Sequence, residues 1–271
     1  MQSPKLLPRI AAAALAASLL ALLLLRGWGG MTQLIVASSL LMFACCWASA
    51  AHLLGVRPAL HFAAIAVGAG WFAEQMGSSY GWFFGSYTYT DVLGPRVCDV
   101  PFVIPLMWFA LSYTGYVLSN LIVWQAPSDG AAPLGQSVTM SLLAALIVTA
   151  YDLGVDPYMV YKLKAWTMAM TDGYWFGETL QGFFGWMLVS FVIVFSFRLT
   201  LRRSPPRPAT PHKVGDVLVP LCLYGALMLF EATQGEPVET RTIALFVMGI
   251  PLLSALCGMG RWRSAAAGAT A

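Results

Sequence analysis

The sequence predicts an all-α fold: a polytopic transmembrane helix bundle of about eight spans, or seven if one short span is broken. Two observations carry this. The 271-residue chain is 59% hydrophobic and 10% charged, where a soluble domain carries about 25% charged residues; mean hydropathy is +0.72. Charge-free apolar runs also recur along the whole chain, each near the length of about 20 residues that a bilayer needs. Residues 1–271 therefore read as a single integral membrane domain.

The spans follow in order. Ile10–Leu25 is the first, preceded by Lys5 and Arg9. Arg26-Gly-Trp-Gly-Gly follows it in place of a small-residue cleavage site, so a retained helix is expected and not a signal peptide. Leu34–Leu54, Ala59–Glu74, Phe102–Val123, Leu134–Tyr151 and Leu180–Phe197 are the next five. Val217–Phe230 is short and carries Pro220, and Ile243–Met259 closes the series. Eight spans place both termini on one side of the membrane. That side holds ten of the 15 Lys and Arg residues, and the positive-inside rule makes it cytoplasmic. The basic, Pro-rich stretch 198–216 reads as an extended cytoplasmic loop near lipid headgroups. The net charge of +3 forms no basic stripe, so no nucleic-acid partner is expected.

The acids are placed less evenly. Of 12 acidic residues, all but Asp129 and Asp216 fall on the non-cytoplasmic side. Glu74, Asp152 and Glu231 each end an apolar run there. An ionisable group inside the bilayer is costly, so such an acid is a functional candidate by default. Two acidic, aromatic loops, 75–101 and 152–179, follow Glu74 and Tyr151. The first carries Tyr80, Trp82, Phe83, Phe84, Tyr87 and Tyr89 and almost no ordinary surface charge. Either an interfacial aromatic belt or a pocket for a lipophilic molecule explains it. The pentapeptide GWFFG at Gly81–Gly85 returns as GYWFG at Gly173–Gly177, as if two helix–loop–helix units faced each other across a site. Asp152 and Asp156 would share a face on a helix, but Gly154 and Pro157 favour a turn, with Asp156 as a helix cap.

Other chemistries find little support. The five cysteines show no CxxC and the three histidines are scattered, so neither a metal site nor a disulfide framework is expected. GSSYG at Gly77–Gly81 matches a nucleophile elbow with Ser79 in place, but it follows a membrane span and has no histidine in reach; it reads as a flexible loop. Asp152 and Asp156 form a DxxxD pair, as in prenyl-diphosphate enzymes, yet the second Asp-rich motif is missing. Without a cofactor motif, the chemistry must use carboxylates, tyrosines and water.

Several elements in one order resemble the membrane carotenoid hydratase family, that of gamma-carotene 1',2'-hydratase and bisanhydrobacterioruberin hydratase. They are E-x-x-G from Glu74, F-G-x-Y-x-Y-T from Phe84, L-G-P from Leu93 and V-P-x-x-I-P-L-x-W from Val100. DLGVDPY at Asp152–Tyr158, GYWFG and FFGW follow, so residues 60–200 carry the resemblance. It implies cofactor-independent addition of water across the terminal C1=C2 bond of an acyclic psi end group. Protonation at C2 leaves a tertiary cation at C1, which water captures. A carboxyl desolvated near the apolar boundary can be the acid, a second carboxylate can deprotonate the water, and aromatic faces can stabilise the cation. On this reading Glu74 and Asp152 are the acid/base pair, in either order, with Asp91 and Asp156 as supporting acids. Trp82, Phe84, Tyr87, Tyr89, Tyr158 and Trp175 line the substrate site. The partners are then a lipophilic carotenoid, water and membrane lipid, with the oligomeric state left open. A lycopene-type cyclase and a proton-coupled small-molecule transporter are the alternatives.

Overall fold

Among the described residues, eight helices are long and apolar enough to cross a membrane, and the protein is a multi-pass, all-α membrane bundle. The structure, a computed structural model, describes residues 6–25, 31–128, 132–169, 173–203 and 214–268. Lys5, the Arg26–Gly30 boundary, Asp129, Asp172, His212 and most of the basic stretch 198–216 lie outside the described residues. The helices are α1 (Leu6–Leu24), α2 (Met31–Leu54), α3 (Val56–Tyr80), α4 (Val103–Val123), α5 (Leu134–Pro157), α6 (Leu180–Arg203), α7 (Val214–Gln234) and α8 (Glu239–Gly268). Pro220 sits inside α7 without dividing it, so eight spans stand and not seven.

α4 is the central post, with Trp108, Phe109, Tyr113 and Tyr116 fully buried. It packs against every other helix except α1, which lies on α2 and α7. A ring stack between Phe62 of α3 and Phe197 of α6, 4.1 Å between centroids, closes one side of the core. The lipid-facing positions are large and apolar, such as Leu23, Leu146, Phe184 and Ile250.

Among the helices that run past their expected ends, two shape the site. α3 continues six residues beyond Glu74 to Tyr80. Nothing breaks it before Gly81, whose left-handed backbone caps it by donating to the Gly77 carbonyl. GSSYG is therefore the last helical turn and its cap, not a flexible loop, and the Ser79 hydroxyl donates to Asp99. α5 likewise continues through Asp156 and Pro157 into a π-helical turn, Tyr158–Leu163. Asp156 is thus neither in a turn nor a cap. It stays helical, one turn below Asp152. Pro157 is tolerated because a local widening of the helix re-satisfies the backbone.

The two loops meet. Strand β1 (Tyr87–Tyr89) pairs antiparallel with a strand from the second loop, Trp166–Met168, in the register Tyr87↔Met168, Thr88↔Thr167 and Tyr89↔Trp166. A smaller hairpin pairs Arg96–Val97 with Val100–Pro101. The two aromatic pentapeptides close tight turns, with left-handed backbone at Phe83 and Gly85 in one and at Phe176 and Gly177 in the other. This strand pairing ties both loops over one end of the bundle.

Candidate active site

The site is built on one face of α3. Gly70, Glu74 and Gly77 lie along it at helical spacing. A Cβ on Gly70 would sit 2.6 Å from the Trp108 ring, and one on Gly77 would sit 2.9 Å from Phe84 and 3.0 Å from the Tyr87 hydroxyl. The two glycines let these aromatics close around the carboxylate between them. Glu74 is 3% exposed. Its Oε1 accepts a hydrogen bond from Trp108 Nε1 at 2.9 Å. Its Oε2 accepts one from the Tyr89 hydroxyl at 2.7 Å and a shorter one from the Tyr87 hydroxyl. A carboxylate offers about four lone-pair sites, so one on Oε1 is left. Burial, and then the neighbouring Glu74 carboxylate, push the Tyr87 and Tyr89 phenols well above their ordinary range, which keeps both as donors.

Across the pocket stand Asp156 and Glu178, 6% and 5% exposed. Their side chains are hydrogen-bonded to each other. Two carboxyls joined in this way must hold a proton between them. Glu178 precedes α6, and burial raises its carboxyl above the usual range, opposed by the hydrogen bonds from Asp156 and the Thr179 backbone. Gly182, one turn on, carries no side chain where the Glu178 carboxyl lies. The pocket between these acids is lined by Glu74, Phe84, Tyr87, Tyr89, Asp156, Trp166, Glu178 and Trp186, among others, and offers ≈ 50 Å³ to water-sized centres. A water needs about 10–15 Å³ on that measure, so a few fit. Trp186 stacks on Trp108 at 4.5 Å, and Tyr89 meets Trp166 edge-on at 5.9 Å.

A second, larger cavity lies next to the first. It is almost wholly apolar, lined by residues of α1, α2, α4, α5 and α7 such as Leu22, Met42, Met107, Val155 and Leu227, with ≈ 110 Å³ on the same measure and ≈ 870 Å³ counted out to its mouth. The two cavities share four wall residues: Ile104, Asp156, Trp166 and Trp186.

The residues expected from the sequence divide accordingly. Glu74, Asp156, Phe84, Tyr87 and Tyr89 come together in the acid pocket, and Tyr158 lines the apolar cavity. Asp152 is buried one turn from Asp156 but lines neither cavity. Asp91 is exposed and paired with Arg96 at 2.9 Å. Trp82 is more than half exposed and lies against Tyr80. Trp175 donates its indole hydrogen to the Leu153 carbonyl at 2.9 Å and lines neither cavity. Glu178, Trp108, Trp166 and Trp186 were not picked out as site residues. The Glu178 signal was the spacing to Gly182, which leaves a gap one turn from the acid.

Residues 29–252 match the family described as "Carotenoid biosynthesis protein". The chain belongs to this carotenoid biosynthesis family. It is also 32% identical, over 162 residues, to the bisanhydrobacterioruberin hydratase of Haloarcula japonica, a match covering 58% of this chain and 52% of that one. The chain thus spans about half the length of the curated relative it matches. No solved structure matches. The family match begins after α1, so Leu22 and Leu25 of the cavity wall fall outside it.

Proposed function

We propose that this carotenoid biosynthesis protein hydrates the terminal C1=C2 double bond of an acyclic carotenoid psi end group. The observation that carries this is the shared wall of the two cavities. An apolar chamber of the kind a polyene needs adjoins an acid pocket at Ile104, Asp156, Trp166 and Trp186. The end group would enter the acid pocket while the conjugated chain stays in the apolar one.

In this scheme the Asp156–Glu178 pair gives its proton to C2. The π bond's electrons form the new C–H bond, and C1 becomes a tertiary cation. The faces of Trp166, Trp186 and Tyr89 stabilise that charge without trapping it. A water held at the open lone pair of Glu74 Oε1 forms the C1–O bond. Its proton passes to Glu74 and returns to the acid pair, so the net change is one water added. No oxidant, reductant or further reactant is required, which makes the scheme cofactor-independent. Tyr87, Tyr89 and Trp108 fix the carboxylate's orientation, the usual way a base is held ready. Within the same reading, the acid end faces away from the cytoplasm and both termini face it.

The test is expression in a bacterium that accumulates an acyclic carotenoid, grown in heavy-oxygen water. A pigment heavier by one labelled water supports hydration. A ring-containing isomer of unchanged mass would replace water with an internal alkene as the nucleophile and make the chain a cyclase. Unchanged pigment, with the protein inserted and the substrate bound, would overturn the proposal.

A further inference from the structure

Outside the two cavities, the chain buries a second pair of acids whose chemistry is unaccounted for. Asp152 of α5 and Glu231 of α7 are each 1% exposed. All four of their carboxyl oxygens are buried without a hydrogen-bond partner. No ion pair reaches either one among the described residues. A buried polar group left unsatisfied costs about 1–3 kcal/mol, and more when charged. Orphan oxygens in such a place call for water or an ion, and a buried water wants 2–4 polar partners.

The two helices also meet closely there. Gly154 lies between Asp152 and Asp156 in sequence, and a Cβ on it would collide with Glu231 Oε2. α5 therefore gives up a side chain where the Glu231 carboxyl reaches it. Tyr224 lies two helical turns before Glu231 on α7, its hydroxyl donating to the Ile147 carbonyl at 2.9 Å. Tyr151 and Leu227 line the apolar cavity next door. Asp152 also shares a helical face with Asp156. Glu231 thus meets α5 on the turn that carries Asp152 and Asp156, and the three carboxyls make an acid row that ends at the acid pocket.

We propose that Asp152 and Glu231 hold a small cluster of buried water between α5 and α7, and that this water, passed along the acid row to Asp156, is what the reaction consumes. The water site stands on geometry alone. Its role as a supply rests on the hydratase reading above. A reaction chamber walled by tryptophans and opening into an apolar cavity needs a separate polar route for its second substrate, and no other row of buried acids leads to it among the described residues.

The site is tested without reference to activity by hydroxyl-radical footprinting of the full chain in membranes, read by mass spectrometry. Radicals formed from bound water oxidise side chains beside it even where solvent does not reach. Tyr224 is 1% exposed and lines neither cavity, so its oxidation should far exceed that of Phe62 and Phe197, at 0%. It should drop to their level in the double variant Asp152→Leu/Glu231→Leu. Equal labelling of Tyr224 and Phe62 in the native chain overturns the water site. The supply role is tested by Glu231→Leu against Glu231→Gln. The leucine should lower kcat by about ten-fold or more at unchanged KM for the carotenoid, a pattern of lost transition-state steps and not lost binding. The glutamine, which still offers polar atoms to water, should retain most of the rate, so a loss shared by both variants would mark a structural role only. Native kcat in the leucine variant would overturn the supply role. A footprint at Tyr224 in a chain that adds no water to any acyclic carotenoid would leave the water site standing and the hydratase reading refuted.

Discussion

Replacing Glu74 with glutamine separates the chemistry of this carboxylate from its packing. The two side chains match in shape, but one oxygen becomes an NH2 group. Oε2 takes two donors, Tyr87 and Tyr89, and Oε1 takes only Trp108. The amide therefore turns its remaining oxygen to the tyrosines, and its NH2 faces the Trp108 N–H donor to donor. One buried donor is stranded, a cost of about 1–3 kcal/mol. Loss of a positioned base costs about 10²–10⁴-fold in rate. Thermal unfolding in detergent and pigment analysis read these two quantities separately. Pairing Glu74→Gln with Trp108→Phe removes the stranded donor, so the double variant should recover stability but not activity. Hydrated pigment from Glu74→Gln at close to the native rate would refute the reasoning, whatever the unfolding curve shows.

Further perturbations test the surrounding structure. Gly70→Ala puts a methyl 2.6 Å from the Trp108 ring; overpacking of this kind costs about 1–3 kcal/mol, and the shifted indole should release Glu74 and lower the rate, both checked by unfolding and assay of the same preparation. Because Glu178 holds its proton to higher pH in the folded chain than an ordinary carboxyl at about 4.3, the stability it contributes is present below that value and is lost as pH rises through its raised one. The hydration rate should fall over the same alkaline limb, and Glu178→Gln should abolish that limb in a pH–rate profile. Leu22→Trp and Leu25→Trp would fill the apolar cavity from α1 and weaken carotenoid retention by the purified protein, while Leu23→Trp, on the lipid-facing side, should not; retention unaffected by either filling variant would remove the polyene from that cavity.

What the sequence made legible follows from which interactions are local. The spans could be read because apolar runs and loop charges are properties of neighbouring residues. Glu74 could be read too, since an acid ending such a run stands out, and E-x-x-G recorded the close packing around it. Asp156 was visible as an acid but not as a helical one. Gly154 and Pro157 are turn formers in water, whereas inside the bundle a π turn absorbs the proline and leaves Asp156 on the face of Asp152. Glu178 was harder, because its partner is 22 residues upstream and the contact depends on two loops closing together. That closure uses a three-residue strand pair, too short for its Tyr-Thr-Tyr alternation to announce the partner strand. Trp166 carries no local signal either: only its register opposite Tyr89 turns it into a wall of the pocket.

The most direct measurement of the central claim is mass analysis of pigment made in heavy-oxygen water by the native chain and by Glu74→Gln, at matched membrane insertion, in cells supplied with an acyclic carotenoid. The account predicts a pigment one labelled water heavier from the native chain and almost none from the variant. Labelled product in equal amounts from both, or none from the native chain with substrate bound, would contradict it.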